Sequence, residues 1–205
     1  MTDNRTIVCL GDSLTAGSPG FSGYGTWTGN PKSQYEYWLE KLITKKFPEK
    51  EYDIMNFGVG GDTIWQMLYR FKNDVLRIVP EPDFVLLMGG INDIVGHGSH
   101  ETGVRKDLEE TYDAILDSFA TLIPMEIGPV STTRRFVLRV QKSNEAIQEL
   151  ADLMEVPYVP IYDALKDGEG FGLKREYDIG DGVHYNVNGY KKIGETVFRT
   201  IKEHL

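Results

Sequence analysis

The sequence predicts an α/β fold, a largely parallel sheet with helices on both faces, and three observations over its 205 residues lead there. Short apolar runs alternate with segments whose apolar residues recur at helical spacing, the signature of successive βαβ units. The runs are unbroken rather than alternating, as in Phe84-Val85-Leu86-Leu87-Met88, which suits strands covered on both faces. Three of them lead into glycine-bearing turns, and in a parallel sheet such strand ends share one edge, where ligands bind.

Thr6 to Leu10 is β-branched and apolar, the first strand, and Gly11-Asp12-Ser13-Leu14-Thr15-Ala16-Gly17 follows it as a sharp turn. Ser18 to Lys32 is rich in Gly, Ser, Pro and Thr yet carries Phe21, Tyr24 and Trp27. Gly20, Gly23 and Gly25 make a helix there unfavourable. The segment reads either as a pocket wall or lid beside the turn, or as aromatics packed on the next helix. Ser33 and Glu36 form a capping-box pattern that opens a helix with Leu39, Leu42, Ile43 and Phe47 on one face. Tyr52 to Phe57 is the second strand, and Gly58-Val59-Gly60-Gly61-Asp62-Thr63 its exit.

Ile64, Met67, Leu68, Phe71 and Val75 then recur at helical spacing, and Phe84 to Met88 is the third strand, running into Gly89-Gly90-Ile91-Asn92-Asp93. Leu108, Tyr112, Ile115, Leu116 and Phe119 mark a further helix. Leu122 to Ile127 is a fourth strand weakened by Pro124, which removes a ladder donor. After a helix through Val140, Ile147, Leu150, Ala151 and Met154, Val156 to Ile161 is a fifth strand, interrupted by two prolines. A polar loop ends in Asp181-Gly182-Val183-His184, and Tyr190, Ile193, Val197 and Ile201 make the closing helix. The chain reads as a single domain over residues 1–205, without repeats or linkers.

Charge and composition exclude several functions. With 31 acidic residues against 22 basic ones the formal charge is -9, so no basic patch for nucleic acid is expected. Cys9, the sole cysteine, permits no intrachain disulfide and reads as a small buried hydrophobe. No window approaches a membrane span, and the first residues lack a basic start followed by an apolar stretch. The expectation is a cytoplasmic protein without membrane insertion, its oligomeric state left open.

A serine hydroxyl lifted off a strand end becomes a nucleophile once a base takes its proton, and a histidine held by a carboxylate is the usual device. Ser13 sits in such a turn, and Asp181 lies three residues before His184, within reach if the segment makes one turn. Acyl transfer also needs N–H donors aimed at the developing oxyanion, each worth about 3 kcal/mol of barrier. The glycine pair before Asp62 lets backbone approach a ligand, and Asn92 offers an amide. Each feature alone has an ordinary structural explanation, a cap or a turn. Four in four separate turns at one sheet edge point to a site. Asp93, His97 and His100 have no recognised ligand spacing, so neither a metal nor a cofactor is expected.

The blocks Gly11-Asp12-Ser13-Leu14, Asn56 to Thr63, Gly90-Ile91-Asn92-Asp93 and Asp181-Gly182-Val183-His184 occur in order across nearly the whole chain. In them the sequence resembles the SGNH hydrolases, the GDSL esterases and lipases. The resemblance implies a three-layer α/β/α fold with a five-stranded parallel sheet of flavodoxin-like order 2-1-3-4-5. It implies Ser13 as nucleophile, His184 as base and Asp181 as its orienting acid. The oxyanion hole it implies is made of the Ser13 N–H, a glycine N–H and the Asn92 side chain. The family glycine precedes the Asp-Thr pair, hence Gly61, with Gly60 as the alternative register. Tyr185 follows His184 where many members carry proline, which touches the loop's rigidity. The implied substrate is a small acyl ester. Thioesterases and carbohydrate deacetylases share the constellation, and a catalytically silent binding module would be expected to have lost part of it.

Overall fold

The computed structural model describes residues 4–17, 30–95, 101–168 and 172–205. Phe21, Tyr24, Trp27, His97 and His100 lie outside the described residues. The sheet has four strands, β1 (Asn4–Gly11), β2 (Glu51–Gly58), β3 (Phe84–Met88) and β4 (Thr121–Pro124), all parallel in the order β2-β1-β3-β4. Ile7 to Leu10 and Val85 to Met88 are almost wholly buried, as the unbroken apolar runs predict for central strands.

The helices are α1 (Ser13–Ala16), α2 (Tyr35–Lys46), α3 (Ile64–Asn73), α4 (Ile91–Val95), α5 (Glu101–Leu116), α6 (Arg134–Leu153), α7 (Ile161–Leu165) and α8 (Val187–Ile201). The connection from β1 to β2 runs one way along the sheet, and the connection from β2 to β3 runs the other way, across β1. Right-handed crossovers therefore put α2 and α3 on opposite faces. α8 packs beside α2, and α5 packs between α3 and α6. Leu39 and Ile43 on α2, Met67 and Phe71 on α3, and Ile193, Val197 and Ile201 on α8 enter one contiguous core.

Three expectations are corrected. The fifth strand is reduced to a single bridge, Met125 with Val159. Val159 donates to Pro124 O at 2.8 Å and accepts from Glu126 N at 3.0 Å, but Pro157 and Pro160 on either side have no N–H to extend the ladder. The capping box at Ser33 and Glu36 does not form. Ser33 lies in a 3-10 turn begun by Pro31, α2 starts from Gln34 without a side-chain cap bond, and Glu36 is buried. Phe119 does not belong to the helix face: α5 ends at Leu116, and Phe119 is 91% exposed.

Two register facts position the site. Gly11 is level with Gly58 on one side and with Met88 on the other, so the turns after β1, β2 and β3 start at the same height. A Cβ on Gly58 would overlap the backbone of Ala16. Glycine there lets α1 lie directly against the end of β2.

Candidate active site

Asp12 builds the turn that presents Ser13. Its Oδ1 accepts from Leu14 N at 2.8 Å, and its carbonyl accepts from Thr15 N at 3.2 Å and Ala16 N at 2.8 Å. The cap thus consumes the N–H groups of Leu14, Thr15 and Ala16 and leaves that of Ser13 outside it. The Ser13 side chain is partly exposed, while Leu14, Thr15 and Ala16 are buried beneath it.

Asp12 itself is fully buried, and its Oδ2 has no hydrogen-bond partner among the described residues. Burial pushes its carboxyl up to about 7, against the Leu14 N–H that lowers it, and neighbouring Asp93 and Asp62 push the same way while Arg70 opposes them. At pH values below the unfolded carboxyl's ordinary range the group is protonated in both states, and its contribution to stability is at its best. As pH rises the unfolded chain ionises first, so that contribution shrinks until the folded group titrates near pH 7. Asp12→Asn, which keeps the Oδ1 acceptor, is therefore expected to lose less stability between pH 5 and 8 than the wild type, by roughly 2 kcal/mol. Urea unfolding at the two pH values checks this, with parallel losses in both proteins as the contrary result.

The segment before α8 carries the other half. Asp178 Oδ1 accepts from Gly180 N at 2.7 Å and Gly182 N at 3.1 Å, and Ser131 N donates to Gly182 O at 2.7 Å. Asp181 Oδ1 accepts from Val183 N at 2.9 Å and His184 N at 2.8 Å, which closes the single turn that the spacing requires. Asp181 Oδ2 then lies 2.7 Å from His184 Nδ1, and His184 Nε2 lies 3.0 Å from Ser13 Oγ. An ionised carboxylate can only accept, so in the neutral imidazole Nδ1 carries the proton, Nε2 is the acceptor, and the Ser13 hydroxyl donates to it. Partial burial raises the Asp181 carboxyl, but the bonds from the His184 N–H, its ring and the Val183 N–H outweigh that, and the net position is below the usual range. Tyr185, the departure from the proline common in the family, is fully buried and meets Tyr190 edge to face at 5.7 Å. Its ring anchors the residue next to His184 in the core.

The turn after β2 approaches the same place. A Cβ on Gly60 would stand 3.9 Å from the Ser13 Cβ, and Gly61 has φ of +86°, the left-handed region that favours glycine. Asn92, at the start of α4, donates from Nδ2 to Asp62 O at 2.9 Å. Asp93 accepts from Ile64 N at 3.1 Å, a structural task that ties α4 to the head of α3. Among the described residues no group of three His, Cys, Asp or Glu side chains stands close enough together to hold a metal ion, and no helix is long and apolar enough to cross a membrane.

Residue patterns alone did not single out Arg70. Buried at 6% exposure, it bonds to the ends of β1 and β2, which lead into the turns that carry Ser13 and Gly61, and to Asp62. An arginine on the otherwise apolar side of an amphipathic helix was the available signal. Trp65 and Tyr69, one turn apart on α3, stack with centroids 6.4 Å apart and remain 60% and 59% exposed. They line a cavity of about 420 Å³ with Val59, Gln66, Asp62 and Arg70.

Known esterases and lipases resemble this chain. A multidomain esterase of Ruminococcus flavefaciens is 24% identical over 97% of this chain and 28% of its own length. An acetylxylan esterase of Geobacillus stearothermophilus is 32% identical over 43% of this chain and 39% of its own. The matched regions thus span well under half the length of either curated relative. The crystal structure of the lipase/acylhydrolase from Enterococcus faecalis superposes with a TM-score of 0.74 at 27% identity, covering 98% of this chain and 97% of that one. The family model for GDSL-like lipases and acylhydrolases matches residues 9–192, a span that contains Ser13, Gly61, Asn92, Asp181 and His184. With that match across most of its length, the chain belongs to the GDSL-like lipase/acylhydrolase family.

Proposed function

We propose that the chain is a serine acylhydrolase that cleaves small carboxylic esters through an acyl-enzyme on Ser13. The observation that carries the reading is the continuous relay from Ser13 Oγ to His184 Nε2 at 3.0 Å and from His184 Nδ1 to Asp181 Oδ2 at 2.7 Å. His184 takes the hydroxyl proton as Ser13 attacks the ester carbonyl carbon, and then returns it to the departing alkoxide. Water, activated by the same imidazole, releases the acid in the second half. Asp181 keeps the ring in the required tautomer. No metal or cofactor enters any step.

In the same reading the carbonyl oxygen is stabilised by the Ser13 N–H, the Gly61 N–H and the Asn92 amide. The Ser13 N–H stands outside the cap that uses its neighbours. Asn92 Nδ2 has two hydrogens, one of them spent on Asp62 O, which leaves a second for the oxyanion. Asn92→Ala is expected to lower kcat by roughly 100-fold with a smaller change in KM, because the bond strengthens as charge develops. A raised KM at unchanged kcat would instead make Asn92 a substrate-binding group.

Deacetylation of a carbohydrate is the second reading. The acetylxylan esterase relative favours it, and so does the stacked Trp65–Tyr69 surface beside the glycine turn, a flat apolar face of the kind that packs on sugar rings. A panel of acyl esters graded by chain length, with an acetylated xylooligosaccharide and a thioester included, separates the readings. A silent binding module turns over none of them. We also read the chain as a single domain, in keeping with the contiguous core of its described residues, and as cytoplasmic.

A further inference from the structure

Arg70 makes three hydrogen bonds, and each ends on a segment that carries part of the site. Nη2 donates to Gly11 O at 2.9 Å, the last residue of β1, directly before Asp12 and Ser13. Nη1 donates to Phe57 O at 2.6 Å, directly before the turn that holds Gly60 and Gly61. Nε donates to Asp62 Oδ2 at 2.6 Å, the residue after Gly61. Asp62 extends the chain of contacts, because its carbonyl accepts the Asn92 amide at 2.9 Å. Gly11 O accepts a second bond, from Val59 N at 3.0 Å, which ties the first turn to the second. One rigid guanidinium therefore ties the segment that bears Ser13 directly to the one that bears Gly61, and reaches Asn92 through the Asp62 carbonyl, although it touches neither Ser13 Oγ nor His184 in this network.

We propose that Arg70 is a positioning residue for the reaction, holding the Ser13, Gly61 and Asn92 donors at the mutual spacing that the oxyanion needs. The inference rests on the acylhydrolase reading of the site. Its physical basis is the difference between two sensitivities. A buried ion pair is weak evidence for net stability, since desolvation offsets much of its attraction. Donor placement is far less forgiving: a misplacement of about 1 Å can cost roughly 100-fold in rate. The planar fork reaches three acceptors at fixed angles, and a lysine ammonium on a flexible stem does not reproduce that geometry.

The test is a double-mutant cycle on purified full-length chain with p-nitrophenyl acetate as substrate, each variant normalised to its folded fraction by circular dichroism. Arg70→Lys is expected to lower kcat by about 10- to 100-fold with KM within about twofold of wild type. Its acid limb in the pH profile should coincide with that of the wild type, because the relay through His184 is untouched. The Asn92→Ala penalty should shrink several-fold in the Arg70→Lys background, since a displaced amide has little left to lose. Asp62→Asn retains an oxygen for Nε and should show the same pattern more mildly, which keeps the test open if Arg70→Lys does not fold. Wild-type kcat in both folded variants overturns the proposal, as do losses that simply multiply with Asn92→Ala. A wild type that neither turns over the ester nor takes up a fluorophosphonate sinks the acylhydrolase reading itself, and the role of Arg70 with it.

Discussion

Ser13→Ala is expected to abolish covalent labelling by a fluorophosphonate and to lower ester turnover by a factor on the order of 10⁴ or more. The argument is local. The Ser13 hydroxyl lies 3.0 Å from His184 Nε2, while the turn that holds it is capped by Asp12 and not by Ser13. Removing the oxygen therefore takes away the proposed nucleophile and leaves the cap intact. The variant should keep its unfolding free energy to within about 0.5 kcal/mol of wild type, as substitutions outside packed or capping positions usually do. Intact mass is the decisive readout: one adduct on the wild type and none on the variant. An adduct that survives in Ser13→Ala would move the nucleophile elsewhere.

The second large effect is expected at His184. His184→Ala removes the acceptor of the Ser13 proton and should cost on the order of 10³-fold or more in kcat. Asp181→Asn should cost less. An asparagine keeps the Oδ1 acceptor for the Val183 and His184 N–H groups, so the turn survives, but its amide cannot accept from Nδ1 and favours the wrong tautomer. The Asp181 side chain is 44% exposed, so water can partly take over the acceptor role. Only the neutral imidazole accepts the Ser13 proton, and the bonds from His184 and Val183 hold the Asp181 carboxyl below the usual carboxylate range. Steady-state rates of both variants across pH check the ranking. A folded His97→Ala protein that loses as much as His184→Ala would transfer the base to His97.

Much of this was legible without coordinates, for reasons that are local. An unbroken run such as Phe84 to Met88, five residues long and leading into glycine, suits a strand covered on both faces, and it forms one. The Asp181–His184 spacing needs a single turn, and a single turn is what Oδ1 of Asp181 holds. The weak strands were also flagged by their prolines, although their outcomes differed. Thr121–Pro124 still forms β4, since Thr121, Leu122 and Ile123 ahead of the proline align with β3. Val159 keeps a lone bridge, since prolines stand on both sides of it. The capping-box pattern at Ser33 misled because Pro31 claims the turn for a 3-10 helix and burial withdraws Glu36 from any exposed cap. Phe119 misled because periodicity does not say where a helix stops.

By itself the sequence determined the α/β class and the strand ends that carry the glycine turns, and it put forward Ser13, Asn92, Asp181 and His184 as the candidate site residues. These follow from short-range chemistry: which runs must be buried, which turns need glycine, which side chains can exchange a proton. Tertiary structure alone decided that 171 residues of separation close to 3.0 Å between Ser13 and His184. It also decided that Arg70 bridges Gly11, Phe57 and Asp62, and that Trp65 and Tyr69 stay outside the core face of their own helix. Contacts of that kind depend on the level register of β1, β2 and β3 and on which face each crossover helix occupies, quantities set by packing across the sheet rather than by any neighbour in the chain.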